Sequence, residues 1–241
     1  MCATQRATTA AAAVRAAGLD KHIDERPILR GIDLTIVPGS FVALLGANGA
    51  GKSTLMKVLA TLIPATGGTL ELFGTPVRAA GAAIRRRIGL IGHQSMLYHD
   101  LSARENLILF GRLYDVPDAP ARADRLLAEL GLAQRGHDPV KAFSRGMAQR
   151  VAIARALMHS PDLLLADEPF AGLDAPSSAL LERVLTDLHQ GGKTIILANH
   201  DIHQTLRLVQ RAVVLRQGVK VIDAAANTLD VERVLEQMGA A

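Results

Sequence analysis

Apolar residues in this chain come mostly in short, tightly bounded runs. Residues 41–45, 88–91, 163–167 and 194–198 are four to five residues long and almost wholly apolar. Such runs mark strands covered on both faces. Residues 14–17 and 28–37 read as two more strands, with turns marked by Gly31 and Pro38-Gly39. Residues 212–215 and 219–222 read as a hairpin about Gln217-Gly218. Longer periodic stretches predict helices over 54–62, closed off near Pro64, and over 121–130, 146–159, 176–188 and 231–238. Ser102 and Glu105 have capping-box spacing and predict a helix over 103–114, ended by Pro117 and Pro120.

Strands alternate with helices at both ends, as in a mostly parallel α/β sheet. The middle, about 92–160, is mainly helical and reads as an inserted lobe. Residues 1–12 are rich in Ala and Thr, lack the long apolar centre of a secretion signal, and read as a frayed tail before a folded domain over 13–241.

Composition narrows the class. The 241 residues are 49% hydrophobic and 21% charged, enough for one sizeable core with a smaller lobe. No apolar stretch reaches the roughly 18–20 residues that span a bilayer. The nearest, 151–166, carries Arg155 and Asp162. The chain is therefore expected to dock on a membrane protein at most. A net charge of +4, no Trp, two Tyr and five Phe supply neither the basic stripe nor the stacking platforms of a nucleic-acid binder. The single cysteine, Cys2, excludes an internal disulfide and fits a reducing cytosol.

One segment carries specific chemistry. Gly46-Ala47-Asn48-Gly49-Ala50-Gly51-Lys52-Ser53-Thr54 fits the phosphate-binding loop G-x-x-x-x-G-K-[ST], set between a strand and a helix. Its glycines let bare backbone N–H groups wrap a polyphosphate, and the helix start adds its dipole. Lys52 can reach the β- and γ-phosphates, and the Ser53 hydroxyl can ligate Mg²⁺. The strand at 163–167 ends in Asp167-Glu168, at the sheet edge where ligands bind. Asp167 is the candidate direct or indirect partner of Mg²⁺, and Glu168 the candidate to polarise an attacking water. Alone, this run also reads as a strand ending in a solvated turn. Ser144 and Gly146 open a helix, which reads either as an anion site or as a plain cap.

Taken in order, the phosphate loop, Gln94, Ser144 to Met147, Asp167-Glu168, Gly172-Leu173-Asp174 and Asn199-His200 resemble the ATP-binding subunits of ABC transporters over about 14–215. The resemblance implies a P-loop NTPase cassette: a RecA-like α/β core sheet, an antiparallel β subdomain and the helical lobe. It also implies ATP and Mg²⁺ as ligands. Gln94 matches the glutamine that touches Mg²⁺ or the attacking water, Glu168 the catalytic glutamate and His200 the histidine that contacts the γ-phosphate. Ser144 and Gly146 match the signature that closes over ATP held by a second subunit, and Asp174 the aspartate at the dimer seam. The implied partners are a paired ATPase subunit, as a homodimer or otherwise, and separate integral-membrane permeases. The implied place is the cytoplasmic face of the bacterial inner membrane.

The chain departs from the family pattern at Arg145, usually glycine, and Met147, usually glutamine. It also has Ile23, with His22 beside it, where an aromatic residue normally stacks on adenine, which leaves ATP against GTP open. Arg85-Arg86-Arg87 reads as a solvated face rather than a lipid patch. Tyr98 and Leu101 are candidate permease contacts, with lobe core as the alternative. The stretches 91–98 and 143–147 are similar to ATPases of the haem exporter of cytochrome c maturation. Other exporters of drugs, lipids or polysaccharides are the alternative, and a soluble ABC ATPase a more distant one.

Overall fold

The structure is a computed structural model that describes residues 11–92 and 95–239. The chain opens with a long hairpin, β1 (Val14–Ile23) and β2 (Arg26–Ile36), followed by β3 (Phe41–Leu45) and α1 (Lys52–Leu59). Next come β4 (Gly67–Leu72), β5 (Thr75–Pro76), the single turn α2 (Val77–Ala80) and β6 (Ile88–Ile91). The helical middle holds α3 (Ala103–Leu113), α4 (Ala119–Glu129) and α5 (Arg145–Leu157). Then follow β7 (Leu163–Asp167), α6 (Ala175–Gln190), β8 (Thr194–Ala198), α7 (Ile202–Leu208), β9 (Arg211–Arg216), β10 (Val219–Ala225) and α8 (Val231–Met238).

Two sheets form. The larger has the order β10-β9-β3-β8-β7-β6; all its neighbours are parallel except the β9–β10 hairpin. The smaller, β2-β1-β4-β5, is antiparallel throughout. All five residues of β3 are buried because both of its faces are covered. Phe41, Ala43 and Leu45 face the core shared with α3 to α6, while Val42 and Leu44 face α1 and the small sheet. This alternation makes β3 the element on which both layers rest.

Several helix starts follow from local chemistry. Ser102 accepts from the Glu105 N–H while the Glu105 carboxylate accepts from the Ser102 N–H, a complete capping box. Asp118 and Asp174 cap α4 and α6, each followed by a proline in the first turn. Pro120 therefore sits inside α4 rather than before it, and that helix starts two residues earlier than the pattern suggests.

Other boundaries also differ. The helix expected over 54–62 runs from Lys52 to Leu59, because Thr61 turns to a positive φ of 59° and ends it. The first strand extends to Ile23, past a bulge at Gly18. Strand β4 has no counterpart in the apolar pattern because it is half-exposed and begins with two glycines. Helix α7 likewise has none because seven residues carry too little periodicity. The arginine triple is exposed, as a solvated face should be, and two of its members also have partners. Arg86 pairs with Asp115, and Arg87 pairs with Asp162 at 2.7 Å while lying over the Phe73 ring. No helix among the described residues is long and apolar enough to cross a membrane.

Candidate functional site

Three neighbouring parallel strands, β3, β8 and β7, end on the same edge, with Leu44 beside Ala198 and Ala198 beside Asp167. The loops that leave them carry 46–51, Asn199-His200 and Glu168-Pro169. The site is thus assembled by register, at the carboxyl edge of the sheet.

The loop after β3 can take its path only with glycine at two points. At Gly46, with φ 153°, an added Cβ would lie 2.4 Å from the Leu215 carbonyl oxygen. At Gly51, with φ 107°, it would lie 2.9 Å from the Leu29 side chain and 3.1 Å from the Ile28 carbonyl. The β1–β2 hairpin and the β9–β10 turn therefore press the loop into shape, helped by the Gly218 N–H donating to the Ala50 carbonyl at 3.0 Å. Helix α1 begins at Lys52, so Ser53 and Thr54 stand in its first turn, with no acidic side chain there. Lys52 is buried, and its Nζ donates to the carbonyls of Gly46 at 2.6 Å and Ala47 at 3.1 Å. Burial pushes its ammonium down from the usual lysine range, while the carboxylates of Glu168 and Asp167 pull it back up.

Asp167 closes β7 and is buried. Burial pushes its carboxyl up from the usual range; the Ser53 hydroxyl beside it pulls the other way. Its buried Oδ1 has no hydrogen-bond partner. A hydroxyl beside a carboxylate with an unsatisfied oxygen fits Mg²⁺, which takes hard oxygen ligands and few protein groups. Among the described residues no cluster of three or more His, Cys, Asp or Glu offers a denser cage.

Glu168 takes a positive φ of 51°, uncommon for a non-glycine residue, and Pro169 after it disfavours the right-handed helical alternative. Its N–H donates to the Ala198 carbonyl at 2.8 Å, which draws the turn across β8. The result is a Glu168 Oε2 to His200 Nδ1 separation of 3.4 Å. His200 is two-thirds exposed, whereas Asn199 beside it is buried and accepts from the His200 N–H at 3.0 Å. Sequence reading gave no sign of the residue behind this pair. Gln204 on α7 meets the Asn199 amide at 3.4 Å and donates to Ser178 Oγ at 3.0 Å and Glu182 Oε1 at 2.7 Å on α6.

Ser144 and Gly146 stand apart from this cluster. Ser144 is exposed and caps α5, its Oγ accepting from the Met147 N–H at 3.3 Å. The turn packs on 172–177 of its own chain. The Arg145 side chain lies over Gly172, and a Cβ at Gly146 would meet Ser177 Oγ at 3.5 Å. Among the described residues no hydrogen bond joins Ser144 or Gly146 to 46–54. Met147 is half-buried against the core, and the amide that links α5 to the edge is Gln149, donating to the Pro169 carbonyl at 3.1 Å. Asp174 caps α6 by accepting from the Ser177 N–H at 3.0 Å, and the Ser177 hydroxyl, with that N–H, holds its carboxyl below the usual range. Gln94 and His93 lie outside the described residues. Tyr98 is exposed and Leu101 half-buried, while Ile23 is exposed at the end of β1.

A phosphate loop, an acid pair and a histidine on one edge of a parallel sheet define a nucleotide-hydrolysing cassette. A family model described as "ABC transporter" matches residues 29–171. The chain is 36% identical over 222 residues to the daunorubicin resistance ATP-binding protein DrrA3 of Streptomyces coeruleorubidus, covering 91% of this chain and 70% of that protein. It is 39% identical over 222 residues to the phosphonates import ATP-binding protein PhnC of Trichormus variabilis, covering 87% and 91%. The dimeric post-hydrolysis structure of an ATP-binding cassette bound to ADP and Pi superposes with a TM-score of 0.82 at 28% identity, over 88% of this chain and 98% of that one. The chain belongs to the ABC transporter family and is an ATP-binding, ATP-hydrolysing subunit of that kind.

Proposed function

We propose that this subunit hydrolyses ATP in a composite site shared by two copies and thereby drives a separate membrane permease. The observation that carries the reading is the Glu168–His200 pair, 3.4 Å apart at the ends of adjacent strands, with the Glu168 carboxylate near enough to act on the Lys52 charge. Backbone N–H groups of 46–51 and the Lys52 ammonium hold the β- and γ-phosphates. Ser53 and Asp167 would hold Mg²⁺, with Gln94 as a further ligand, and the ion would there neutralise phosphate charge. Glu168 takes the proton from the attacking water. His200 donates toward the γ-phosphate and is steadied by Asn199 and Gln204.

The exposed start of α5 offers Ser144 and the Gly146 N–H to the γ-phosphate on a second copy, with Asp174 at the seam. ATP then bridges two subunits, and hydrolysis releases them. The reading further places the subunit peripherally at the cytoplasmic face of the bacterial inner membrane, with Tyr98 and Leu101 toward the permease. The test is Glu168→Gln. It is expected to keep ATP affinity within about three-fold, lose at least about 100-fold in turnover, and form an ATP-dependent dimer in sedimentation. Wild-type turnover by this variant would remove Glu168 from its role.

For the cargo, the reading is a haem exporter serving cytochrome c maturation. Its support is the likeness of 91–98 and 143–147; the relatives above carry other cargoes in their names. Deleting the gene should abolish covalently haem-bearing cytochromes c, and wild type but not Lys52→Ala should restore them. Normal cytochromes with new sensitivity to a drug would assign the subunit to a different exporter.

A further inference from the structure

Strand β6 lies at the edge of the larger sheet and pairs only with β7. The carbonyls of Arg87 and alternate residues after it point toward β7, as the Asp162 N–H to Arg87 O bond of 2.9 Å shows. Those of Ile88 and Leu90 therefore point out of the sheet, where an edge strand needs partners. Both find them on or just after α5. Arg155 Nη2 donates to Leu90 O at 2.6 Å, and His159 Nε2 donates to Ile88 O at 2.9 Å. Since a carbonyl only accepts, the His159 proton sits on Nε2.

A matching pair on and just after α3 backs these two side chains. The Arg155 guanidinium lies 5.2 Å from the centre of the Phe110 ring, and His159 stacks on Tyr114 at 4.0 Å with the planes 8° apart. Arg155 with His159, and Phe110 with Tyr114, are each four residues apart, so each pair shares one side of its element. Arg155 is 7% exposed, and among the described residues no carboxylate lies within ion-pair distance of it. An unpaired buried cation is expensive where a hydrophobic residue of similar size would pack as well. Its geometry supplies a different reason for an arginine there.

We infer that Arg155 and His159 are positioning residues that fix the free edge of β6 to α5, so that the signature end of α5 and the strand leading toward residue 94 move as one body. Helix α5 has Ser144 at one end and Arg155 eleven residues on, about 16 Å away at 1.5 Å per residue. A shift of the core at β6 is carried along this rod to Ser144 and Gly146, with little damping because the rod's far end is bonded rather than merely packed. The inference rests on the composite-site reading, since what it positions is the face offered to a second copy.

The test uses the full chain in the Glu168→Gln background and follows ATP affinity and ATP-dependent dimerisation separately. Arg155→Gln is expected to weaken the dimer roughly ten-fold and leave ATP affinity of the monomer within about three-fold. Arg155→Lys, which keeps one donor, should recover part of the loss. His159→Leu removes the second donor at similar volume and should weaken the dimer at least about three-fold, while His159→Gln restores it. The histidine pair decides the matter if Arg155→Gln does not fold. A dimer as strong in both His159 variants and in folded Arg155→Gln as in the parent overturns the coupling. So does a parallel fall of ATP affinity and dimerisation, which marks a general loss of structure. A parent that stays monomeric with ATP overturns the composite-site reading itself.

Discussion

The chain carries two glycine-containing helix starts suited to anions, α1 and α5, and they are built in opposite ways. The start of α1 is enclosed. Lys52 is buried, Gly51 is pressed against Leu29 and Ile28, and Gly46 against Leu215. The start of α5 is open. Ser144 and Arg145 are exposed, and a Cβ on Gly146 would meet its nearest neighbour, Ser177 Oγ, at an ordinary 3.5 Å. One start is shaped by its own chain and needs nothing more to grip a phosphate. The other packs on 172–177 but, among the described residues, makes no hydrogen bond to 46–54. The contrast is the one the proposed composite site calls for, with a grip built within one chain and a closure supplied by a second copy.

Paired glycine substitutions give the largest test of this contrast. Gly46→Ala puts a methyl 2.4 Å from a backbone oxygen of β9 that cannot retreat without displacing a strand held between β10 and β3, so ATP affinity should fall at least about 100-fold in calorimetry. Gly146→Ala meets only ordinary contact and should leave affinity and melting temperature unchanged while weakening the ATP-dependent dimer. Equal losses of affinity in the two variants would erase the distinction. Lys52→Ala comes next, with an expected loss in affinity of about 30- to 100-fold. It removes the charge that the enclosed start directs at the phosphates, along with two bonds to the loop carbonyls.

Asp167 sharpens the enclosed side further. Its carboxyl is raised by burial, so the folded chain holds that proton more tightly than the unfolded chain does. This contribution to stability is full below the ordinary value of 3.8 and is lost as pH climbs through the raised one. At neutral pH the ionised group therefore weakens the fold. Asp167→Asn should raise the melting temperature by about 2–4 °C for each kcal/mol recovered, with the gain over wild type shrinking in acid. Mg²⁺-dependent hydrolysis should fall at the same time. A variant that melts lower at pH 7.5 would show that Lys52 already offsets the burial.

The enclosed half was far more legible in the sequence than the open half. Nine consecutive residues specify the phosphate loop, and the apolar runs 41–45, 163–167 and 194–198 match β3, β7 and β8 residue for residue. Such strands are legible because both faces are covered and composition alone marks them. Strand β4 was not, since pairing with β1 supplies what its own residues lack. Asp167 and Glu168 could be picked out by residue type at a strand end, and His200 only through the family resemblance, but only register shows that they converge. Gln204, Gln149 and Arg155 carried no signal, because each acts by reaching a backbone or amide group brought near by the tertiary fold.

The smallest expected effect tests the open side at a single atom. Ser144 Oγ accepts from its own Met147 N–H at 3.3 Å, a long bond at an exposed helix start. As a cap it is worth about 0.5–1 kcal/mol, so Ser144→Ala should lower the melting temperature by about 1–4 °C. Ser144→Asp caps as well or better and should restore that loss. The two variants separate capping from recognition. A carboxylate at 144 would repel a phosphate presented by a second copy, so Ser144→Asp should melt like wild type and dimerise worse than Ser144→Ala. If Ser144→Asp dimerised as wild type does, the start of α5 would be an ordinary capped helix, and the contrast with α1 would be one of enclosure alone.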